Sequence, residues 1–268
     1  AILNRVKHLK VSEKTFPTFS IGMGMGGGSF EQNEAFARKA LDMALSRGGD
    51  QAVVRNLSDY EFFGGSTKNG EGRTKVKARV VASAFNEILK NTETVYIMGH
   101  RFSDFDSIGS CMGIYRIAKS AGKNAFIIMD DDTSLGKSLL DQIRQIPDYD
   151  GVFLSPANIK VAQPAHSLLV ITDTHRKSML PAPELIEKVK NTVVIDHHRK
   201  SPDYIRDTAL FFHDSNASSS CEMTAELVQY MADGTLSKIE ADSLLAGIVL
   251  DTKSYSIRTT ALTFETSS

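Results

Sequence analysis

Acidic and histidine side chains follow four apolar segments of this sequence, each at the carboxyl end of its segment. They are His100, Asp104 and Asp106 after residues 95–98, Asp173 after 168–172, Asp196, His197 and His198 after 192–195, and Asp251 after 244–250. Two carboxylates as close as Asp104 and Asp106 repel each other, and a bound divalent cation removes that cost. Carboxylate and imidazole ligands without thiolate suit manganese, zinc, iron or cobalt. The pattern therefore predicts a metal site.

The number of candidate ligands indicates more than one metal ion. The nitrogen and oxygen ligands are His100, Asp104, Asp106, Asp173, His197 and Asp251. Six ligands exceed the need of one catalytic ion, and with one shared carboxylate they suit two ions about 4 Å apart, as in phosphoesterases. A single Asp after a strand would be interpreted as a helix N-cap. The prediction therefore depends on the joint pattern at four segment ends.

The elements that must position these residues alternate between strand and helix from residue 94 onwards. Predicted strands lie at 95–98, 125–129, 152–154, 168–172 and 192–195, and predicted helices at 107–121, 135–146, 183–189, 221–232 and 238–250. This alternation predicts an α/β fold with a mainly parallel sheet and helices on both faces. Ligands of such sheets bind beyond the carboxyl ends of the strands, so the candidate residues should converge on one edge.

The residues before 94 are organised differently. A partial α/β segment is predicted over residues 1–56, followed by a linker and connecting helix over 57–92 and the main domain over 93–268. The linker prediction depends on the polar, glycine-rich composition of residues 57–76.

Composition excludes several classes of protein. The 268 residues include 31 Lys and Arg against 32 Asp and Glu, a net charge of -1, so no global field recruits nucleic acid or an anionic membrane. Two cysteines are too few for a disulfide scaffold. No run approaches the roughly 18 apolar residues of a membrane span.

Four motifs resemble those of one enzyme family. The sequence VVIDHH at 193–198 resembles the signature of the DHH phosphoesterases, and GHRFSDFD at 99–106 their first motif. TD at 172–173 resembles the second motif and LDT at 250–252 the fourth, in family order. The resemblance implies a DHH phosphoesterase domain in which the six residues above bind two divalent ions, manganese being the expected metal, with the carboxylate at 173 bridging.

The resemblance also implies roles for residues around the metal ligands. His198 would lie beside the ions and face the phosphate without ligating, while Asp196 orients an imidazole. Arg199, directly after the histidine pair, is a candidate phosphate contact. Ser219 and Ser220 precede a predicted helix whose free amides could hold phosphate, although serine there also fits an N-cap.

The N-terminal part narrows the family to a branch. Residues 17–54 resemble the C-terminal half of a degenerate GGDEF domain, and residues 74–80 the connector that follows it. The run RGGD at 47–50 is interpreted as a glycine helix cap and not as the cyclase signature, because Gln51 stands where that signature needs Glu. This order resembles the membrane-anchored cyclic-di-AMP phosphodiesterases of Gram-positive bacteria.

That branch implies more protein than this sequence contains. Its C-terminal substrate subdomain and its membrane helices are not found here, so we expect the cytoplasmic domain of a longer protein anchored in the bacterial membrane. The resemblance implies a homodimer that takes a cyclic dinucleotide and no long nucleic acid.

The implied reaction is hydrolysis of cyclic-di-AMP to linear pApA by a hydroxide that two metal ions generate near neutral pH. Two alternatives stay open at this point. One is another DHH hydrolase, such as a nanoRNase/pAp phosphatase, an exonuclease or a pyrophosphatase. The other is a nucleotide-sensing module that has lost catalysis.

Overall fold

The computed structural model describes residues 3, 19–46, 51–57, 60–64, 75–159, 161, 164–232 and 235–268. The chain divides into two compact units, residues 1–72 and 73–268. The predicted helix cap at 47–50 lies outside the described residues, as does most of the predicted linker. Within these ranges, no helix is both long and apolar enough to cross a membrane.

The described residues of the first unit include a small three-stranded sheet and the helix that packs on it. Its elements are β1 (Ile21–Gly24), α1 (Phe30–Ser46), β2 (Gln51–Arg55) and β3 (Tyr60–Gly64). β1 pairs with β2 in parallel, and β3 pairs with β2 in antiparallel orientation. β3 lies inside the range predicted as a linker, which is a correction. Tyr60 and Phe62 give this short segment an apolar side that packs on the core of the unit around Val53.

The second unit is built on a six-stranded sheet in which all strands are parallel. The strands are β4 (Thr94–Met98), β5 (Asn124–Ile128), β6 (Phe153–Leu154), β7 (Ser167–Thr172), β8 (Asn191–Asp196) and β9 (Leu210–His213). Their order across the sheet is β6-β5-β4-β7-β8-β9. The predicted α/β class and parallel sheet are confirmed, whereas β9 was not predicted from the sequence.

The helices of this unit are α2 (Lys75–Lys90), α3 (Phe105–Ser120), α4 (Lys137–Arg144), α5 (Leu185–Lys188), α6 (Ser220–Met231), α7 (Lys238–Asp251) and α8 (Ala261–Ser267). Alternate side chains of each strand enter two separate cores. Val95 and Ile97 of β4 join a core formed with α2, α3, α4 and α6. Tyr96 and Met98 join a second core, which α5 and the segments around it cover. Helices therefore cover both faces, but long helices cover only one.

The strand order creates a natural binding edge. From β4 to β6 the chain adds strands on one side of β4, and from β7 to β9 it adds them on the other side. The strand order therefore reverses between the neighbouring strands β4 and β7. Ligand sites of open α/β sheets lie outside the carboxyl ends of the strands at such a switch point. Asp173 comes directly after β7, and His100 follows β4 after a single glycine.

Helices α3 and α7 approach each other closely through glycines. A Cβ atom on Gly109 of α3 would lie 2.3 Å from the carbonyl oxygen of Ser243 in α7. A Cβ atom on Gly247 of α7 would lie 2.8 Å from the Cα of Asp106 and 2.4 Å from the Sγ of Cys221. The small residues thus bring the helix that carries Asp106 against the helix that ends in Asp251.

We expect Gly247→Ala to destabilise the protein by about 1–3 kcal/mol, because the added methyl group must displace backbone in a packed core. The same displacement moves Asp106, so metal affinity should fall as well. Chemical denaturation and metal titration measure the two effects. Gly28→Ala is the matched control, since its Cβ would meet only Gln32 at 3.5 Å. Equal stabilities of the two variants would contradict the close packing.

A buried ionic network joins the same two helices. Glu240 of α7 is fully buried and accepts hydrogen bonds from Nε and Nη2 of Arg116 in α3, at 2.8 and 2.9 Å. The Tyr149 hydroxyl donates to Glu240 over 3.0 Å, and the backbone N–H of Ser237 donates over 2.8 Å. Ser237 and Glu240 form a capping box at the start of α7. One carboxylate therefore fixes the start of α7 to α3.

Candidate metal centre

The loop after β4 delivers the first three acidic or imidazole groups. Asp104 is the N-cap of α3, and its Oδ1 accepts hydrogen bonds from the backbone N–H groups of Asp106 and Ser107 at 3.1 and 3.0 Å. This cap fixes the start of the helix, and Asp106 lies in its first turn. The Nε2 of His100 lies 3.8 Å from the Oδ1 of Asp104.

Asp106 is held from a second direction by helix α6. Its side chain is buried, and its two carboxylate oxygens accept hydrogen bonds from the backbone N–H groups of Ser220 and Cys221, both at 2.8 Å. These donors belong to the N-terminus of a helix, where a carboxylate is stabilised. The position of Asp106 is therefore set before any ligand binds.

Asp173 lies at the centre of the cluster. It follows β7 with a φ of 59°, in the left-handed region that Asp and Asn tolerate better than most residues. Its N–H donates to the carbonyl of Ile195, so the turn begins at the end of the β7–β8 pairing. The Oδ2 of Asp173 lies 3.2 Å from the Nε2 of His100, and its Oδ1 lies 3.6 Å from the Nε2 of His197.

His197 is surrounded by carboxylates. It is 1% exposed, and its Nε2 lies 3.1 Å from the Oδ2 of Asp251 and 3.6 Å from the Oδ2 of Asp106. Neither ring nitrogen of His197 has a hydrogen bond of acceptable geometry to the described residues. Buried polar atoms are seldom left without a partner. The Nε2 of His197 and the carboxylate oxygens around it therefore fit a cation that coordinates them together.

The ligand atoms form overlapping groups. One group contains His100, Asp104 and Asp173, another contains Asp106, His197 and Asp251, and a third contains Asp173, His197 and His198. In each group the ligand atoms lie within 4.8 Å of one another. The six predicted metal ligands are thus brought together in space, and Asp173, a member of the first group, also lies 3.6 Å from His197 of the second. The donor set fits divalent ions that accept oxygen and nitrogen ligands.

The charges of the cluster shift the pKa values of its members. Burial lowers the pKa of His100, but two carboxylate neighbours outweigh burial and raise it to about 10. The same balance raises the pKa of His197 to about 11. Burial and the charge of Asp173 raise the pKa of Asp106, whereas burial of Asp173 is outweighed by its histidine contacts, which lower its pKa. These shifts share one cause, the crowding of several carboxylates around two imidazoles, and a divalent cation would offset that negative charge.

Asp196 does not face the cluster directly. It is fully buried, its Oδ1 accepts from the Nδ1 of His198 at 2.9 Å, and its Oδ2 bonds to the Nδ1 of His175. Burial raises its pKa, but the hydrogen bonds from both histidines outweigh burial and lower it to about 2. In the sequence, His175 is a candidate partner of the metal ligands but fits a polar loop residue better; its contact with Asp196 becomes visible only when β7 and β8 are paired.

The predicted substrate contacts divide into two kinds. Ser219 is the N-cap of α6, and Ser220 donates through Oγ to Asp173 over 3.3 Å; both serines are fully buried. Their contacts are with the protein, and substrate binding by either one stays a prediction. Arg199 is exposed and lines a cavity of about 560 Å³ that also reaches His100, Asp173, His198 and Arg258. In the sequence, Arg258, like Arg199, fits either a phosphate contact or a solvated loop arginine.

The motif geometry agrees with a family comparison. The model of the DHH family, N-terminal domain, matches residues 94–248, which is more than half of the chain. The chain belongs to the DHH family. A second model, described as the GGDEF domain of cyclic-di-AMP phosphodiesterase GdpP-like proteins, matches residues 1–62. Both parts of the resemblance derived from the sequence are thereby confirmed.

Curated relatives of this DHH protein are longer than the chain. It is 38% identical over 273 residues to the cyclic-di-AMP phosphodiesterase GdpP of Bacillus subtilis, covering 100% of the chain and 41% of the relative. It is 37% identical over 272 residues to the cyclic-di-AMP phosphodiesterase PdeA of Listeria monocytogenes, again covering 100% and 41%. The chain therefore spans about 41% of the length of these relatives.

A solved structure shares the fold of this DHH domain. It is an exopolyphosphatase-related protein from Bacteroides fragilis, with a TM-score of 0.50 and 17% sequence identity. The match covers 70% of the chain and 55% of the solved one. At this identity the likeness supports the α/β architecture alone.

Proposed function

We propose that this chain is part of a metal-dependent phosphodiesterase that hydrolyses cyclic-di-AMP to linear pApA with two divalent ions. The observation that carries the proposal is the position of Asp173 between two groups of ligands, one with His100 and one with His197. A single ion does not need both groups, whereas an ion pair with a shared carboxylate uses all six ligands. The identity to proteins named cyclic-di-AMP phosphodiesterases supports the choice of substrate.

The six ligands of this chain would hold the two ions in separate groups. When bound, the two ions would lower the pKa of a water molecule toward neutrality and offset negative charge on the phosphoryl oxygens. His100 and Asp104 would hold one ion, Asp106, His197 and Asp251 the other, and Asp173 both. These groups are fixed by helix termini and strand ends, so little reorganisation is needed on binding.

The remaining groups of the cavity would bind the substrate. His198 lines the cavity next to Asp173, and its ring is 55% exposed at the cavity wall. It would face the phosphoryl group and offset charge that builds on its oxygens. Arg199 and Arg258 line the same cavity and would attract the second phosphate of a dinucleotide. The leaving group would be the ribose 3′-oxygen of the cleaved phosphodiester.

We propose manganese as the metal. The ligand set contains oxygen and imidazole nitrogen and no thiolate, because the two cysteines are buried and burial raises the pKa of both thiols. Such a set suits intermediate divalent ions. Anomalous scattering from manganese-soaked crystals would test the ligands and the metal together.

We expect the complete protein that carries this chain to hydrolyse cyclic-di-AMP in the presence of manganese, and to lose that activity on chelation. The expected kcat/KM for cyclic-di-AMP exceeds that for pApA, pAp or pyrophosphate by at least about tenfold, a preference of about 1.4 kcal/mol. Product analysis by chromatography should find linear pApA.

The comparison of substrates also distinguishes the alternative functions. A preference for pAp or short oligonucleotides would identify another DHH hydrolase, and a preference for pyrophosphate would identify a pyrophosphatase. Binding of cyclic-di-AMP without turnover in any metal would favour a sensing module. Each of these results would contradict the proposed substrate or the proposed catalysis.

Three further features belong to the proposal. We infer a homodimer, an anchor in the bacterial cell membrane for the parent protein, and a catalytic domain that begins near residue 93. Light scattering, membrane fractionation of the complete protein and limited proteolysis test these points in turn.

A further inference from the structure

A buried histidine outside the predicted ligand set has both ring nitrogens engaged. His175 is 1% exposed and follows the central Asp173 by two residues. Its Nδ1 bonds to the Oδ2 of Asp196, and its Nε2 lies 2.9 Å from the backbone nitrogen of Ser201. Asp196 and Ser201 are the two ends of the loop that carries His197 and His198, so one side chain holds this loop at both ends.

The hydrogen bonds assign the tautomer of His175. The backbone N–H of Ser201 can only donate, so the Nε2 of His175 accepts and carries no proton. Its Nδ1 therefore carries the proton and donates to Asp196. This imidazole is neutral, and its orientation is fixed by one donor and one acceptor on opposite sides of the ring.

The second oxygen of Asp196 extends the chain of hydrogen bonds. Oδ1 accepts from the backbone N–H of His198 at 3.1 Å and from its Nδ1 at 2.9 Å. The bond from His175 to Oδ2 orients the carboxylate so that Oδ1 faces His198, and an ionised carboxylate can only accept a hydrogen bond. The proton of His198 is thereby placed on Nδ1, and Nε2 is the ring nitrogen that remains for a ligand in the cavity.

We propose that His175 is a positioning residue which, through Asp196, fixes the tautomer and ring orientation of His198 toward the bound phosphoryl group. Outer partners of this kind orient a ring and usually change activity by about 10–100-fold when removed. His175 lies at the wall of the cavity, but both of its ring nitrogens are engaged by Asp196 and Ser201, so it acts through the loop and not as a proton donor to substrate. The kinetic part of this inference rests on the proposed function.

The decisive variants are His175→Phe and His175→Asn. Phenylalanine keeps a ring but removes both hydrogen bonds, whereas asparagine keeps an N–H donor near the position of Nδ1. A second hydrogen bond to the loop remains in both variants, because the Nε2 of His213 bonds to the carbonyl oxygen of His198. His166→Asn is the control, since His166 is exposed at the start of β7.

Two readouts are measured. The first is the imidazole N–H proton resonance of His198 in the metal-free protein, assigned by its loss in His198→Gln. The second is kcat for cyclic-di-AMP at saturating manganese. In His175→Phe we expect the resonance to disappear and kcat to fall about 10–100-fold, with KM within about threefold of the wild-type value. In His175→Asn we expect the resonance to persist and kcat to stay within about tenfold.

Either of two results overturns the inference: His175→Phe keeps the His198 resonance, or it keeps kcat within about twofold of wild type. Should His175→Phe fail to fold, His175→Gln takes its place, because its amide reaches the position of Nε2 and leaves Asp196 without its donor. Loss of the His198 resonance in His175→Gln, together with its retention in His175→Asn, supports the inference. Retention of the resonance in His175→Gln, together with its loss in His175→Asn, overturns it. Absence of turnover in the wild-type protein would contradict the proposed function, while the resonance still tests the link from His175 to His198.

Discussion

Asp173→Asn is expected to reduce manganese-dependent turnover of cyclic-di-AMP by at least about 10³-fold, equivalent to about 4 kcal/mol of transition-state stabilisation. The carboxylate lies 3.2 Å from the Nε2 of His100 and 3.6 Å from that of His197, so it would serve both ions. Asparagine has the same shape and also tolerates the left-handed backbone at this position. The fold should therefore persist while the shared charge is lost.

The measurement combines steady-state kinetics with manganese titration by calorimetry or electron paramagnetic resonance. Asp42→Asn is the matched control, because Asp42 is exposed on α1 in the first unit. We expect the control to bind manganese like the wild type, and Asp173→Asn to bind it more weakly. Turnover of Asp173→Asn within about tenfold of wild type would show that the carboxylate is not shared.

The second large effect concerns stability. Glu240→Ala should lower the free energy of unfolding by about 3 kcal/mol, since it removes one partner of a buried ion pair and a helix cap. Arg116 is 27% exposed, so water relieves part of its charge and the loss lies at the lower end of the usual range. Urea denaturation of the metal-free chain measures the change.

Glu87→Ala supplies the contrast for this prediction. Glu87 pairs with Lys90 at 2.6 Å, but both side chains are more than half exposed, so its removal should cost less than about 1 kcal/mol. A further readout is metal affinity, because Glu240 holds α7 to α3 and α7 ends in Asp251. Equal destabilisation by the two substitutions would contradict the structural role of the buried carboxylate.

The sequence was most informative where chemistry follows a buried strand. The apolar runs of β4, β7 and β8 mark parallel strands, and the residue after such a run must lie at one edge of the sheet. His100, Asp173 and His197 could therefore be placed together without coordinates. The position of Asp251 does not follow from this rule, because the direction of its helix is set by contacts with α3 that no local sequence pattern encodes.

Other features depend on pairing between distant segments. The partner of His175 is Asp196, 21 residues away, and the contact exists because Thr172 of β7 aligns with Ile195 of β8. β3 and β9 are short strands whose stability comes from a neighbouring strand, so their own composition hardly distinguishes them from loops. The left-handed backbone of Asp173 likewise follows from what surrounds it.

The spread of the ligands along the chain has a consequence during protein synthesis. Asp251, on α7, lies 151 residues after His100 (251 − 100). At a translation rate of about 5–20 residues per second, roughly 8–30 s pass between the appearance of the first and the last proposed metal ligand at the ribosome. Until then the early carboxylates lack the ligands that would help them retain a second ion. Under the proposed function, a nascent chain would complete its ion site only after α7 has docked, so hydrolysis could not begin before that folding step.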